Sequence, residues 1–326
     1  MNIVAFVLAV KRLHPWLKAM GVERQSFRVG FGIGMLGRLV QTNTIDGVRL
    51  HGFMSEPAQL LNAWILVHGV NSNFYSSELL NDLSRSLARD DTAILIVNTR
   101  GHDILSFNSG ATPMRLGSQI EGISASQLDL DAWTQFLSKE GVQRFLLLGH
   151  SLGALKCIQW GLKNDERLQA LVAVSPPRLN TELLLQDPSR GPVFADHLRD
   201  ATERCDSGHP ESVMKVRFPL PMWVCASTYK DKYGSGEKYD YLMMANQLRV
   251  PTLWTFGEYE VDNGSANFKQ ADLELQKHLS TADKADAKHT ICVVPNADHS
   301  YRGVTSVLAN CIESWVHDLN GSTELG

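Results

Sequence analysis

"RFLLLGHSLGALKCIQWGLK", residues 144–163, holds two patterns that meet at Ser151. Residues 145–148 form a continuous apolar run, the mark of a strand buried on both faces. From Leu152 the run turns helical, so Ser151 falls on the sharp turn between strand and helix, with Gly149 and Gly153 keeping that turn clear of side chains. A serine presented there has its hydroxyl at the edge of a sheet. The first turn of the helix adds positive potential and unpaired backbone N–H groups, which suit a developing oxyanion.

The same alternation extends on both sides. "AWILVHG" (63–69), "AILIVN" (93–98), "QALVAVSP" (169–176), "VPTLWTFG" (250–257) and "TICVVP" (290–295) are short apolar runs rich in β-branched residues. Helical stretches at 75–89, 125–139 and 153–163 lie between them. Val304, Val307, Leu308, Cys311, Ile312 and Trp315 then form one apolar stripe of a final helix. Strand alternating with helix predicts an α/β fold, a mainly parallel sheet with helices on both faces. Upstream, "LVQTNT" and "VRLHGFM" around Asp46-Gly47 read as a hairpin.

One connection breaks this rhythm. About 70 residues separate "VAVSP" from "VPTLWTF", far more than a crossover helix requires. Residues 178–248 are therefore expected to form a lid or cap insertion in a core of 39–177 and 249–326. Its aromatics, Phe218, Trp223, Tyr229, Tyr233, Tyr239 and Tyr241, serve either a small subdomain core or the apolar walls of a substrate pocket, and both readings stand.

Residues 1–38 are expected to form a helical extension. Ile3, Phe6, Val7 and Val10 share a helical face, followed by Lys11, Arg12 and Lys18, which fits either docking on protein (the chain's own core or another subunit) or peripheral contact with a membrane surface. The apolar stretch is too short to span a bilayer and precedes rather than follows its basic residues, unlike a secretory signal. "VGFGIGMLG" (29–37) lacks the strand-then-helix setting of a nucleotide loop and reads as a flexible connection.

Composition narrows the function classes. The net charge is −4 with no basic block, which disfavours nucleic acid as a partner. Five cysteines without a C-x-x-C pair, in a chain long enough to bury a core, point to thiols in a reducing, cytoplasmic compartment.

A serine hydroxyl needs a base to take its proton. His299, in "VVPNADHSYRG", follows the last expected strand and precedes the last helix; His278 and His289 fall in or beside a charged stretch and His317 late in the final helix. The base needs a carboxylate to fix its tautomer. "TFGEYEVDNG" offers Glu258, Glu260 and Asp262; spacing from the glycine favours Glu260, with Asp262 and Glu258 as alternatives.

From Leu39 to its end the chain resembles the α/β-hydrolase superfamily, on "VHGVNSN", "NTRGHD", "GHSLG", "FGEYEVD" and "NADHSY", each after a strand and in order. The resemblance implies a sheet of about eight strands, no cofactor, no metal and an acyl-serine intermediate. It places the oxyanion hole at the backbone N–H groups of Val70 and Leu152, with Asn71 shaping the loop, and makes Arg100, His102 and Asp103 structural. "FPLPMWVCASTYKDKYG" (218–234) is similar to a branch known only as hydrolase-like, with ester-cleaving members. The expectation is a serine hydrolase acting on a small-molecule carboxylic ester or thioester. An acyltransferase, amidase or C–C hydrolase with the same triad, and a binding protein that kept the fold and lost the activity, are the alternatives. A dehalogenase would carry Asp where Ser151 stands.

Overall fold

The computed structural model describes residues 28–31, 35–110, 113–234, 236–281 and 288–323. Among these residues nine strands form the main sheet: β1 (Arg28–Phe31), β2 (Met35–Asn43), β3 (Arg49–Ser55), β4 (Asn62–Val67), β5 (Thr92–Val97), β6 (Arg144–His150), β7 (Leu168–Val174), β8 (Thr252–Gly257) and β9 (His289–Val294). Their order is β1-β2-β3-β5-β4-β6-β7-β8-β9. β1, β2 and β3 pair antiparallel, as does β3 with β5, and every later pair is parallel. This is the α/β-hydrolase architecture.

The strands are apolar on both faces because both are covered. Trp64 and Leu66 pack with Leu80, Leu83 and Leu308 under the helices Glu78–Leu87 and Thr305–Thr323. Ala63, Ile65 and Val67, one residue out of phase, pack with Trp133, Leu155 and Ile158 of Ser126–Lys139 and Leu152–Gly161 on the other face. The helix Glu78–Leu87 starts where the Ser77 side chain accepts a hydrogen bond from the Leu80 N–H, and Leu79, Leu80, Leu83 and Leu87 bury one side of it.

The N-terminal part differs from expectation. Residues 28–31 and 35–38 are not helical; of the glycine-rich stretch, residues 29–31 and 35–37 are paired strand, with Val29 opposite Gly37 and Gly30 opposite Leu36, and residues 32–34 lie outside the described residues. The cause is clearance: a Cβ at Gly37 would lie 2.3 Å from the Met54 carbonyl oxygen and 2.5 Å from the Phe53 ring. The apolar face of Ile3, Phe6, Val7 and Val10, and the docking or membrane contact expected of it, lie outside the described residues. No helix among the described residues is long and apolar enough to cross a membrane.

Between β7 and β8 the chain leaves the sheet as helices Thr181–Leu185 and Gly191–Asp206, a hairpin of Val213–Val216 with Met222–Cys225, and helices Ala226–Tyr233 and Tyr241–Ala245. A buried ion pair closes its base: Arg178 donates from Nε and an Nη to the two Asp240 carboxylate oxygens at 3.2 and 2.7 Å. Phe194, Phe218, Tyr229 and Tyr233 pack as a ring cluster inside it, so these aromatics make a subdomain core. Trp223 faces outward and is 54% exposed.

Candidate functional site

The site forms along the carboxyl ends of β4, β6, β7, β8 and β9, where an open parallel sheet gathers ligands. Ser151 follows β6 with φ 55° and ψ −124°, a conformation costly for a side-chain-bearing residue. The surroundings enforce it. A Cβ at Gly149 would stand 2.3 Å from the Gly153 carbonyl oxygen, and one at Gly153 would stand 2.4 Å from that of Val67. Both glycines are therefore required by backbone packed against backbone, and the Ser151 N–H is held by the Val174 carbonyl at 2.8 Å.

His299, on the loop after β9, places Nε2 3.0 Å from the Ser151 hydroxyl oxygen and Nδ1 2.5 Å from Glu260 Oε1. The network assigns the proton to Nδ1, leaving the Nε2 lone pair toward the serine. Glu260 is buried, and its second oxygen accepts from the Ser175 hydroxyl at 2.5 Å and the Gly257 N–H at 2.8 Å. Ser175 is itself 2.8 Å from the Tyr301 hydroxyl. A carboxylate held by two donors on one oxygen has the other oriented for a single partner.

The structure thus brings Ser151, His299 and Glu260 together and leaves the other two carboxylates out. Glu258 accepts the Asn296 N–H at 2.7 Å, bracing the loop after β9, and Asp262 is exposed. Glu260 sits at the third position of the short helix Glu258–Asn263 and folds back on the residue before it, the return contact of a capping box.

Two aromatic neighbours frame His299. His150 and Phe268 each lie 4.9 Å from the His299 ring, centroid to centroid. Burial, then the nearness of His299, pushes His150 down to about 4, so its imidazole is neutral near pH 7. Its Nε2 lies 2.8 Å from the His299 carbonyl oxygen and, protonated, fixes the loop that carries His299. The sequence reading missed His150, Ser175 and Phe268; only His150, beside the nucleophile in "GHSLG", carried a signal.

The loop after β4 passes directly over the serine, since a Cβ at Gly69 would lie 3.6 Å from the Ser151 hydroxyl oxygen. His68, fully buried and pushed down to about 3 by burial and then the Lys156 charge, is neutral. It accepts the Thr99 N–H on Nε2 at 3.2 Å, so its Nδ1 donates to the Gly69 carbonyl at 2.7 Å. Carbonyl and N–H of one trans peptide point in opposite directions, so tying down the Gly69 oxygen turns the Val70 N–H away from His68. Leu152, the first residue of its helix, has its N–H at the helix start. Asn71 is left-handed, with φ 57°, and its side-chain oxygen accepts the Ser118 hydroxyl.

Arg100 is committed to structure: its N–H and Nε donate to Asp129 at 2.7 and 3.0 Å, and its two terminal nitrogens reach Asp46 at 2.8 and 3.1 Å. Among the described residues no group of three or more His, Cys, Asp or Glu side chains is arranged to hold a metal ion.

Residues 59–190 match a hydrolase family model described as serine aminopeptidase, a span that holds Ser151 but neither Glu260 nor His299. No curated protein matches the chain in sequence. Among solved structures it is similar to Est1E from Butyrivibrio proteoclasticus (12% identity, TM-score 0.58, covering 87% of this chain and 99% of that one). It is also similar to an esterase of Pyrococcus furiosus (17%, TM-score 0.57, 91% and 98%) and to the α/β hydrolase GrgF from a Penicillium species (18%, TM-score 0.59, 85% and 96%). At these identities the likeness is one of fold.

Proposed function

We propose that the chain is a serine hydrolase of the α/β-hydrolase superfamily, cleaving a carboxylic ester or thioester through an acyl enzyme on Ser151. The observation that carries the reading is the continuous relay from the Ser151 hydroxyl through His299 to the buried Glu260. Ser151 Oγ attacks the carbonyl carbon while its proton passes to His299 Nε2, and Glu260 stabilises the imidazolium. The Val70 and Leu152 N–H groups receive the oxyanion. Collapse breaks the bond to the alcohol or thiol, which leaves with the proton from His299. Water, deprotonated by His299, then attacks the acyl carbon, and the carboxylic acid departs as Ser151 recovers its proton.

Residues 178–248 act in this reading as the lid that selects the small-molecule substrate. The reading extends to a cytoplasmic location, supported by five cysteines none of which is in a disulfide. Contact of residues 1–38 with a membrane surface or another subunit also belongs to it.

Amide cleavage is the second reading, favoured by the serine aminopeptidase description of the matching family model. A panel of p-nitrophenyl esters of graded acyl length, an acyl thioester and aminoacyl p-nitroanilides, assayed with the wild type and Ser151→Ala, tests both. Ester turnover lost in the variant is expected; anilide turnover alone favours the second reading, and equal rates in both proteins reject Ser151 as nucleophile.

A further inference from the structure

Beneath the loop that carries Val70 lies a cluster of charge with almost no access to water. Lys156, on the helix that follows Ser151, and Glu121 approach to 2.6 Å and are essentially unexposed. Lys156 also donates to the Thr99 hydroxyl at 2.9 Å. Lys232 joins them from the insertion, on the helix Ala226–Tyr233, and is 2% exposed. Lysine is rarely buried without a carboxylate partner, yet among the described residues no carboxylate oxygen forms an ion pair with the Lys232 ammonium within 4.0 Å. Its hydrogen bond runs instead to the Ser118 carbonyl at 3.4 Å. Burial pushes Lys232 down to about 8 against the attraction of Glu121, so its placement carries a cost.

What Lys232 touches leads to the oxyanion loop. The segment around Ser118 is clamped by the insertion at three points: the Lys232 contact, the Cys225 N–H to the Gln119 carbonyl at 2.9 Å, and the Ser124 and Tyr239 hydroxyls at 2.9 Å. On its other side the Ser118 hydroxyl donates to the Asn71 side chain. Asn71 follows Val70 directly and holds a left-handed backbone, so fixing its side chain restrains the Val70–Asn71 peptide, the next one along from the peptide that carries the Val70 N–H.

We propose that Lys232, supplied by the insertion, is a positioning residue that holds the Val70 N–H in place through Ser118 and Asn71. The inference rests on Val70 being an oxyanion donor to an acyl-serine intermediate. Removing Lys232 leaves Lys156 and Glu121 as a balanced pair, so Lys232→Met abandons no buried charge.

The test uses the full chain with p-nitrophenyl butyrate as probe. Lys232→Met and Ser118→Ala are each expected to lower kcat about tenfold or more, with KM changed less than about threefold, because the contact is felt by the oxyanion rather than the bound ester. The double variant loses no more than the worse single one, since both act on Asn71. Arg199→Ala, at an exposed position of the insertion, keeps the wild-type kcat. Retained kcat in both single variants, a rise in KM alone, or losses that multiply overturns the inference. So does a collapsed melting temperature in Lys232→Met beside a fully active Ser118→Ala, which marks a structural lysine. Ser151→Ala in the same assay separates the two levels: turnover there rejects the serine reading, whereas a dead Ser151→Ala beside a full-speed Lys232→Met and Ser118→Ala rejects this inference alone.

Discussion

The described residues hold a pair of hydroxyl–imidazole–carboxylate chains that invite comparison. Ser151, His299 and Glu260 are linked at 3.0 and 2.5 Å; Ser106, His102 and Asp103 are linked at 3.2 and 2.9 Å, again with Nε2 toward the serine and Nδ1 toward the acid. A list of hydrogen bonds barely separates them. Their platforms do. The first draws one side chain from the end of each of three strands, strains the serine at φ 55°, and sets it at a helix N-terminus below the Gly69 turn. The second lies within residues 102–106, ending on the short strand Ser106–Phe107. Asp103 is shared with the Asn73 amide at 2.6 Å and the Tyr75 hydroxyl, and the N–H groups of His102, Asp103, Asn108, Gly117 and Ser118 are all taken by carbonyls. In the proposed reading, the Val70 and Leu152 N–H groups offered to an oxyanion make the first a reaction centre and the second a structural knot with the same side chains.

The largest contrast is at the serines. Ser151→Ala is expected to lower ester turnover by about 10⁴-fold or more with the fold intact, and Ser106→Ala to keep kcat within about twofold; equal losses would erase the distinction. The acids come next. Glu260→Gln is expected to cost about 10²- to 10⁴-fold in kcat, against less than about threefold for Glu258→Gln, Asp262→Asn or Asp103→Asn. Asp103→Asn reports instead in stability, losing about 1 kcal/mol in a denaturant titration as the Asn73 and Tyr75 contacts weaken; an unchanged midpoint would remove the structural role.

The smallest effect concerns acid. His68 and His150 are held near 3 and 4, below the ordinary histidine value of 6.5, because the fold buries them neutral. A depressed folded value means that stability is full above 6.5 and drains as the pH falls from there toward 4, where the unfolded chain binds the extra proton. Each such histidine contributes a slope of about 1.4 kcal/mol per pH unit in that window. His150→Gln should flatten the decline by one histidine in melting curves between about pH 7 and 5, and a slope unchanged from wild type would deny that His150 is buried neutral.

How much of this was legible in the sequence depended on how local its cause was. The turn at Ser151 and the parallel strands follow from patterns within a dozen residues, and the structure has strands and helices there. Composition leaves Glu260 beside Glu258 and Asp262, because what selects it is the return of its side chain to the Gly257 N–H, a property of the helix start. Ser175 and Phe268 gave no signal, since each matters only through a residue distant in sequence. Gly37 misled for a related reason: in a glycine-rich stretch it read as freedom, whereas it is a clearance for Phe53, a residue of the neighbouring strand β3. Lys232 was likewise invisible, a lysine in a polar stretch that the fold of the insertion carries inside.

The most direct test is to treat the protein with a fluorophosphonate, follow loss of p-nitrophenyl ester turnover, and map the adduct by peptide mass. The account predicts one phosphonylated residue, Ser151, with labelling and inactivation rising together. An adduct on Ser106, or turnover that survives full modification of Ser151, would contradict it.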